Sequence, residues 1–562
     1  MVNRILTFLN KEFRGVNEAA LLLGGFAFLS QLLGLIRDRT LAHIVGAGPT
    51  LDVYYAAFRI PDFLYISIAS LASVTVLMPF LMDKINNDND TTLKARAFMN
   101  NIFSAFMLFM ALASILIAIF IPYIVSYIAP GFNDSQIHLL ITTSRIMLIS
   151  PIFIGLSNLI GTVTQLFRNF LVFSLSPIFY NFGILLGVIF LYPQFGVYGL
   201  SIGVIVGATM HFLIQVPVVL KHNFFPKFSF KIKWREVIHV VKLSAPRTLA
   251  LSCNSLAFIF LIAMASTLKE GSISLFTFAY NLQSVPVGII GISYSVAAFP
   301  ILVKSFSMKD MDNFIGQIIF AARQIIFWSL PAITLLIVLR AQIVRVILGS
   351  NNFSWFDTRL TAASVALFVI SLASQGLVLL FVRGYYAAGN TKKPLLINVF
   401  SSVMVIVFAQ ILIYIFRNYP ELLSRLEIIL RVKDVPGTIM LALPLAYAMG
   451  SLLNFFLIWI LFKRDFLDNK KINLSLTFIQ STISAVVMGL VTYISLGFFD
   501  NIFNINTGKG IFLQGFLSGI LGITTGVLVL IMLKNKELFD IIHAFKNKFW
   551  RNRVIAPEQG EL

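Results

Sequence analysis

Eight basic residues stand inside or at the edges of strongly apolar stretches of this 562-residue chain: Arg37, Arg39, Arg59, Arg145, Lys242, Arg247, Arg323 and Arg383. A charge at the centre of a membrane helix costs at least about 2.5–3.5 kcal/mol, so such residues ordinarily face a cavity or a partner. A guanidinium stays charged when partly desolvated, and its planar fork of donors grips a phosphate through two bonds at once. Arg37, Arg39, Arg59 and Arg247 fall in the first helices of two related lobes, and a cavity lined by arginines points to an anionic, phosphorylated ligand. In the plainer reading Arg37, Asp38 and Arg39 pair among themselves or cap a broken helix. Arg145, Lys242, Arg323 and Arg383 then carry their charge to the interface along apolar stems.

The elements that must hold these residues are membrane helices. The chain is 58% hydrophobic and 12% charged, with a mean hydropathy of +0.88, whereas soluble domains carry roughly 25% charged residues. A soluble globular protein is excluded. Apolar runs near or above ~18 residues, the length that crosses the hydrocarbon core, recur from about residue 17 to residue 533. They predict an all-α integral membrane protein of about fourteen transmembrane helices. Cytoplasmic connections keep Lys and Arg while translocated ones lose them. The connections on the side of the termini hold 26 of these residues against nine on the other side, so both termini are expected in the cytoplasm. The net charge of +19 then reads as topology plus attraction to anionic lipid head groups, and no nucleic-acid partner is expected.

Internal similarity divides the chain. SPIFYNFGILLGVIF in the fifth span resembles KPLLINVFSSVMVIVF in the eleventh, with Asn181 against Asn398, and the second span resembles the eighth. The expected organisation is a cytoplasmic segment at 1–16, a six-helix lobe at 17–220, a basic amphipathic linker at 221–236, a second six-helix lobe at 237–464, an extra helix pair at 465–533 and a basic cytoplasmic tail at 534–562. A central cavity lies between the lobes, as paired bundles of this kind imply. The segment 418–437 is predicted to form a short amphipathic helix on the outer surface. In the tail, Leu538, Ile541, Ile542 and Phe545 share one helical face, the pattern of an interfacial helix.

Gly199, Gly203, Gly207, His211 and Gln215 recur every four residues in the sixth span, and the small residues predict close helix packing. His211 has the chemistry of a proton relay, but a lone histidine on such a stripe is more often a hydrogen-bonded packing residue. Cys253 is the sole cysteine, so neither a disulfide framework nor a cysteine metal site is available. No nucleophile elbow, metalloprotease helix, phosphate loop or acidic metal cluster occurs. No metal, no cofactor and no enzymatic reaction are expected.

Several strings taken together, LLGLIRDRTLAHIVGAGPTLDVYYAAFRIPDFL, IAPGF, GLSIGVIVGATMHFLIQVP, GSNNFSWFDT and RGYYAAGNTKKP, resemble the MurJ (MviN-type) lipid II flippase family, in order and over nearly the whole chain. The resemblance implies a multi-pass protein of the bacterial inner membrane that flips undecaprenyl-pyrophosphate-linked peptidoglycan precursor by alternating access around a cationic cavity. It implies that the family's cavity pair falls on Arg37 and Asp38, its acid opening the second span on Asp52, and its basic residue further along that span on Arg59. Arg37, Arg59 and Arg247, with Arg39, are then the expected pyrophosphate contacts, and Asp38 and Asp52 the orienting or gating acids. Four other family positions depart: Gln31, Tyr65 and Asn281 stand where the family has arginines, and Ser70 where it has an acid. Gln31 and Asn281 are expected as polar cavity residues, and Arg247 as a replacement for the charge missing at Asn281.

The expected partners are the lipid-linked precursor, membrane lipids and cell-wall synthesis enzymes, and the expected state is a monomer. Two other readings keep the topology: a flippase for another polyprenyl-linked oligosaccharide, and a non-transporting membrane scaffold for cell-wall synthesis. A membrane glycosyltransferase would need essential acids in large loops, and the loops here are short and poor in Asp and Glu.

Overall fold

A computed structural model describes residues 16–68, 77–78, 80–82, 91–167, 169–467 and 474–550; at 16–23, 91–92, 246–247 and 544–550 it describes the backbone alone. Every regular element among these residues is helical, as a bilayer requires of a chain whose backbone polar groups must be satisfied within each segment. In the 38-residue Thr91–Ile128 helix, Leu112, Ile115, Ile119, Phe120 and Tyr123 are all exposed, which is the outward apolar face that lipid covers. Among the described residues eleven helices are long and apolar enough to cross a membrane, or twelve if Trp355–Val369 and Leu372–Ala387, bent by 43°, form one span. They run from Leu93–Ile128 to Gly508–Met532. The first two helices, Val16–Ile44 and Pro49–Ile68, lie outside that count and carry Arg37, Asp38, Arg39, Asp52, Arg59 and Asp62.

The chain forms two compact units. The first comprises Met1–Val285, Val344–Phe368 and Gly389–Leu457, and its apolar core includes Ile60, Leu64, Phe98, Ile102, Leu159, Val163, Val237 and Val240. The small-residue stripe of the sixth span does what its spacing predicts. The Val197–Leu213 helix lies so close to the fifth span that a Cβ on Gly203 would stand 2.6 Å from the Gly187 Cα, and one on Gly207 would strike the Tyr180 carbonyl. The linker is pinned to the Thr91–Ile128 helix: the Asn100 and Asn101 side-chain carbonyls accept the Lys227 and Lys233 amides, each at 2.7 Å. Within the 418–437 segment a helix forms at Pro420–Leu430, burying Leu423 and Leu430 and exposing Ile428 and Ile429.

The second unit comprises Pro286–Ile343, Val369–Ala388 and Ile458–Leu562. Its Ser475–Asp500 and Gly508–Met532 helices pack through small residues, with the Ser484 hydroxyl donating to the Gly526 carbonyl at 2.9 Å. The tail helix, Lys536–Trp550, is anchored by Leu538, which is buried beside Phe327 and Leu530, and by the buried Glu537, which accepts the Thr477 hydroxyl at 2.6 Å.

Candidate functional site

The charged residues that the two opening helices carry lie in the first unit, and side chains and carbonyls from several other helices determine their surroundings. Arg37 follows a run of apolar residues on the Val16–Ile44 helix. Its Nε and Nη2 donate to Asp38 Oδ1 at 3.0 and 2.8 Å, and its Nη1 donates to Asn181 Oδ1 at 3.1 Å. Asp38 is almost wholly buried, and its second oxygen accepts Asn281 Nδ2 at 2.9 Å. One ion pair is therefore held from both sides by amides, Asn181 from the Phe170–Leu186 helix and Asn281 from the Ser272–Pro286 helix. An amide can orient Asp38 without neutralising it, so Asn281 serves the acid beside Arg37.

Asp52 opens the Pro49–Ile68 helix and is 3% exposed. Its two oxygens accept the amides of Gly271 and Ser274, each at 2.7 Å. First-turn amides have no acceptor within their own helix, and a carboxylate there also complements the positive end of the helix dipole. Asp52 thus caps the Ser272–Pro286 helix from a position more than two hundred residues away in sequence. Beside it the His43 carbonyl accepts Asn352 Nδ2 at 2.9 Å, the Ala42 carbonyl accepts the Ser350 hydroxyl at 3.1 Å, and the Ser266 hydroxyl accepts the Gly131 amide at 3.2 Å. The two acids singled out as orienting or gating residues both reach the Ser272–Pro286 helix.

Arg59 lies two turns beyond Asp52. Its guanidinium carbon sits 4.4 Å from the centroid of the Phe258 ring, the distance of a cation–π contact. Its buried Nε has no hydrogen-bond partner among the described residues, an arrangement that leaves donors for a ligand. Behind Phe258 stands an aromatic wall, with Tyr280 at 4.7 Å and Tyr447 at 5.7 Å from Tyr280, centroid to centroid.

The remaining expected residues are dispersed. Arg39 is exposed, and its Nη1 donates to the Val346 and Ile347 carbonyls at the end of the Arg340–Leu348 helix. Gln31 is half-buried. Arg247 stands on the Trp234–Ser266 helix, but its side chain lies outside the described residues, as does Ser70. Tyr65 accepts Asn158 Nδ2 at 2.6 Å. His211 and Ser157 are joined at 2.7 Å.

Sequence reasoning missed Asp62. It stands three residues after Arg59 in the run FRIPDFLYI and lines a cavity of about 260 Å³ together with Tyr65, Tyr180, Asn181 and His211. The signal was available, because the cost that singles out buried bases applies equally to an acid in an apolar run.

The family model described as lipid II flippase MurJ matches residues 41–508. Similar proteins include a probable lipid II flippase MurJ of Buchnera aphidicola subsp. Schizaphis graminum, 27% identical over 473 residues, which are 83% of this chain and 87% of that protein. Another is the lipid II flippase MurJ of Burkholderia cenocepacia, 26% identical over 407 residues, 71% of this chain and 78% of that one. Among solved structures, a lipid II flippase MurJ in an inward closed conformation superposes with a TM-score of 0.71 at 22% identity, covering 93% of this chain and all of that one. An inward-facing multidrug transporter of the MATE family superposes with a TM-score of 0.60 at 15% identity, covering 79% of this chain and 96% of that one. The fold is shared with both.

Proposed function

The chain belongs to the lipid II flippase MurJ family, and from that premise we propose that Arg37 and Arg59 receive the pyrophosphate of lipid II as the protein carries it from the inner to the outer leaflet of the bacterial cell membrane. The observation that carries this assignment is the contrast between the two guanidiniums. Arg37 is oriented by Asp38 and Asn181, whereas the Arg59 guanidinium rests on Phe258 with Asp62 as an electrostatic neighbour, and its buried Nε has no hydrogen-bond partner among the described residues. One fixed and one open guanidinium suit a ligand with two phosphates, since each fork gives charge-assisted bonds. Arg247 is proposed as a further contact. Arg39, engaged with the helix end at Val346 and Ile347, is proposed to steady the first span beneath the site, with Gln31 as a polar cavity residue.

Transport then needs no covalent chemistry. The two lobes, 17–220 and 237–464, alternate in access, and the cargo shifts the population between two states by its different affinity for each. Asp38 and Asp52 act as the gate, because each joins the opening helices to the Ser272–Pro286 helix. The termini and the tail helix lie on the cytoplasmic side, the protein works as a monomer among membrane lipids, and the tail supplies a contact for cell-wall synthesis enzymes. The test is rescue of lipid II flipping and viability in cells depleted of their own flippase. The parent chain rescues, and Arg37→Ala and Arg59→Ala abolish rescue with expression intact. A well-expressed parent that fails to rescue refutes the assignment of cargo.

A further inference from the structure

We propose that the cavity lined by Asp62 and His211 binds a proton, and that its occupancy is transmitted through Asn181 to Arg37. The proposal rests on the flippase reading for its consequence, though not for the existence of the site. The cavity of about 260 Å³ has room for several waters. It lies among the Pro49–Ile68, Ser150–Leu166, Phe170–Leu186 and Val197–Leu213 helices.

The tautomer of His211 follows from its partners. The Ser157 hydroxyl gives its single hydrogen to the His211 carbonyl at 2.9 Å and accepts Gln215 Nε2. Its remaining lone pair, 2.7 Å from His211 Nδ1, can only accept, so Nδ1 carries the hydrogen and Nε2 keeps its lone pair. Asp62 lines the same cavity, and no described group donates a hydrogen bond to it. Two proton acceptors, a carboxylate and an imidazole nitrogen, therefore line one cavity. An alkali cation would need a shell of oxygens, but Tyr65 Oη already accepts from Asn158 and Asn181 Oδ1 from Arg37. Among the described residues no group of three or more His, Cys, Asp or Glu stands ready for a metal.

The other titratable groups lining the cavity are Tyr65 on the helix of Asp62 and Tyr180 on the fifth span; behind them Arg59 acts electrostatically on Asp62, and Tyr54 and Arg37 act on Tyr180. The Ser150–Leu166 helix contributes Ser150, Pro151 and Ile154, none of which titrates. Asn181 belongs to both sites: it lines the cavity, and its side-chain carbonyl accepts Arg37 Nη1. A proton bound here adds one positive charge to the cavity whose Asn181 holds Arg37 and favours an anionic ligand at that guanidinium. Linkage is reciprocal, so the ligand favours the proton, and affinity for lipid II falls as pH rises.

The experiment has two arms. Infrared difference spectra of the detergent-solubilised full chain, taken without cargo over a pH series from about 4 to 8, are expected to contain a protonated carboxyl band that Asp62→Asn removes. In weakly buffered solution, addition of lipid II is expected to draw up to one proton per protein. Affinity is expected to change by up to about tenfold per pH unit on the limb where the proton is lost, and both effects disappear in Asp62→Asn and shrink in His211→Gln. Absence of the carboxyl band overturns the site whatever the cargo. A band without proton uptake on lipid II overturns the coupling to Arg37, and a requirement for sodium in place of protons overturns the choice of ion. If Asp62→Asn does not fold, the uptake measurement on the unaltered chain and on His211→Gln decides the question.

Discussion

Replacing Asp52 should release the first turn of the Ser272–Pro286 helix. Its two oxygens accept the Gly271 and Ser274 amides at 2.7 Å in a setting where the acid is 3% exposed. Hydrogen bonds to charged groups contribute about 1.5–3 kcal/mol each, so Asp52→Ala removes roughly 3–6 kcal/mol from the joined arrangement. At 1.4 kcal/mol per factor of ten, the population in which these amides are covered falls by at least about a hundredfold. Asp52→Asn keeps one side-chain acceptor and should lose about half of that free energy, roughly a tenfold change or somewhat more. Hydrogen–deuterium exchange reads this directly, because first-turn amides have no acceptor within their own helix and owe their protection to the cap. The Gly271 and Ser274 amides should exchange at least about a hundredfold faster in Asp52→Ala, with the middle of the helix little changed, and lipid II flipping should fall in the same order as protection. Unchanged exchange at both amides in Asp52→Ala would refute the latch, and with it the gating role assigned to this acid.

Arg59→Lys should fail to rescue flipping nearly as completely as Arg59→Ala, since an ammonium lacks the planar face that rests on Phe258 and the fork that meets a phosphate; rescue assays with matched expression decide this. Gly203→Leu should force the fifth and sixth spans apart, with a cost of at least about 1–3 kcal/mol that appears as a lower Tm in detergent. Glu537→Ala leaves the buried Thr477 hydroxyl without its partner and should loosen the tail helix, seen as faster proteolysis beyond Asn535 while flipping in proteoliposomes persists.

The chemistry of the apolar runs made most of the membrane architecture legible, and Arg37, Asp38 and Arg59 could be picked out because a charge in an apolar run has few bland explanations. The stripe Gly199, Gly203 and Gly207 likewise foretold close packing, since a helix face free of side chains permits little else. The partners were not legible. Asp52 and Gly271 are 219 residues apart, and no local pattern records that one caps the helix that follows the other. Asn281 read as a lost charge, whereas in the fold it orients Asp38. Arg39 read as a companion of Arg37, although a step of two positions along a helix places them on opposite faces and turns Arg39 toward the Val346 and Ile347 carbonyls. Asp62 and His211 looked unrelated until the packing of the second and sixth spans brought them to the lining of one cavity. Periodicity and composition fix which face of each helix is polar, because those are properties of successive residues. Which polar face meets which is a property of packing between helices, and only the tertiary structure decides it.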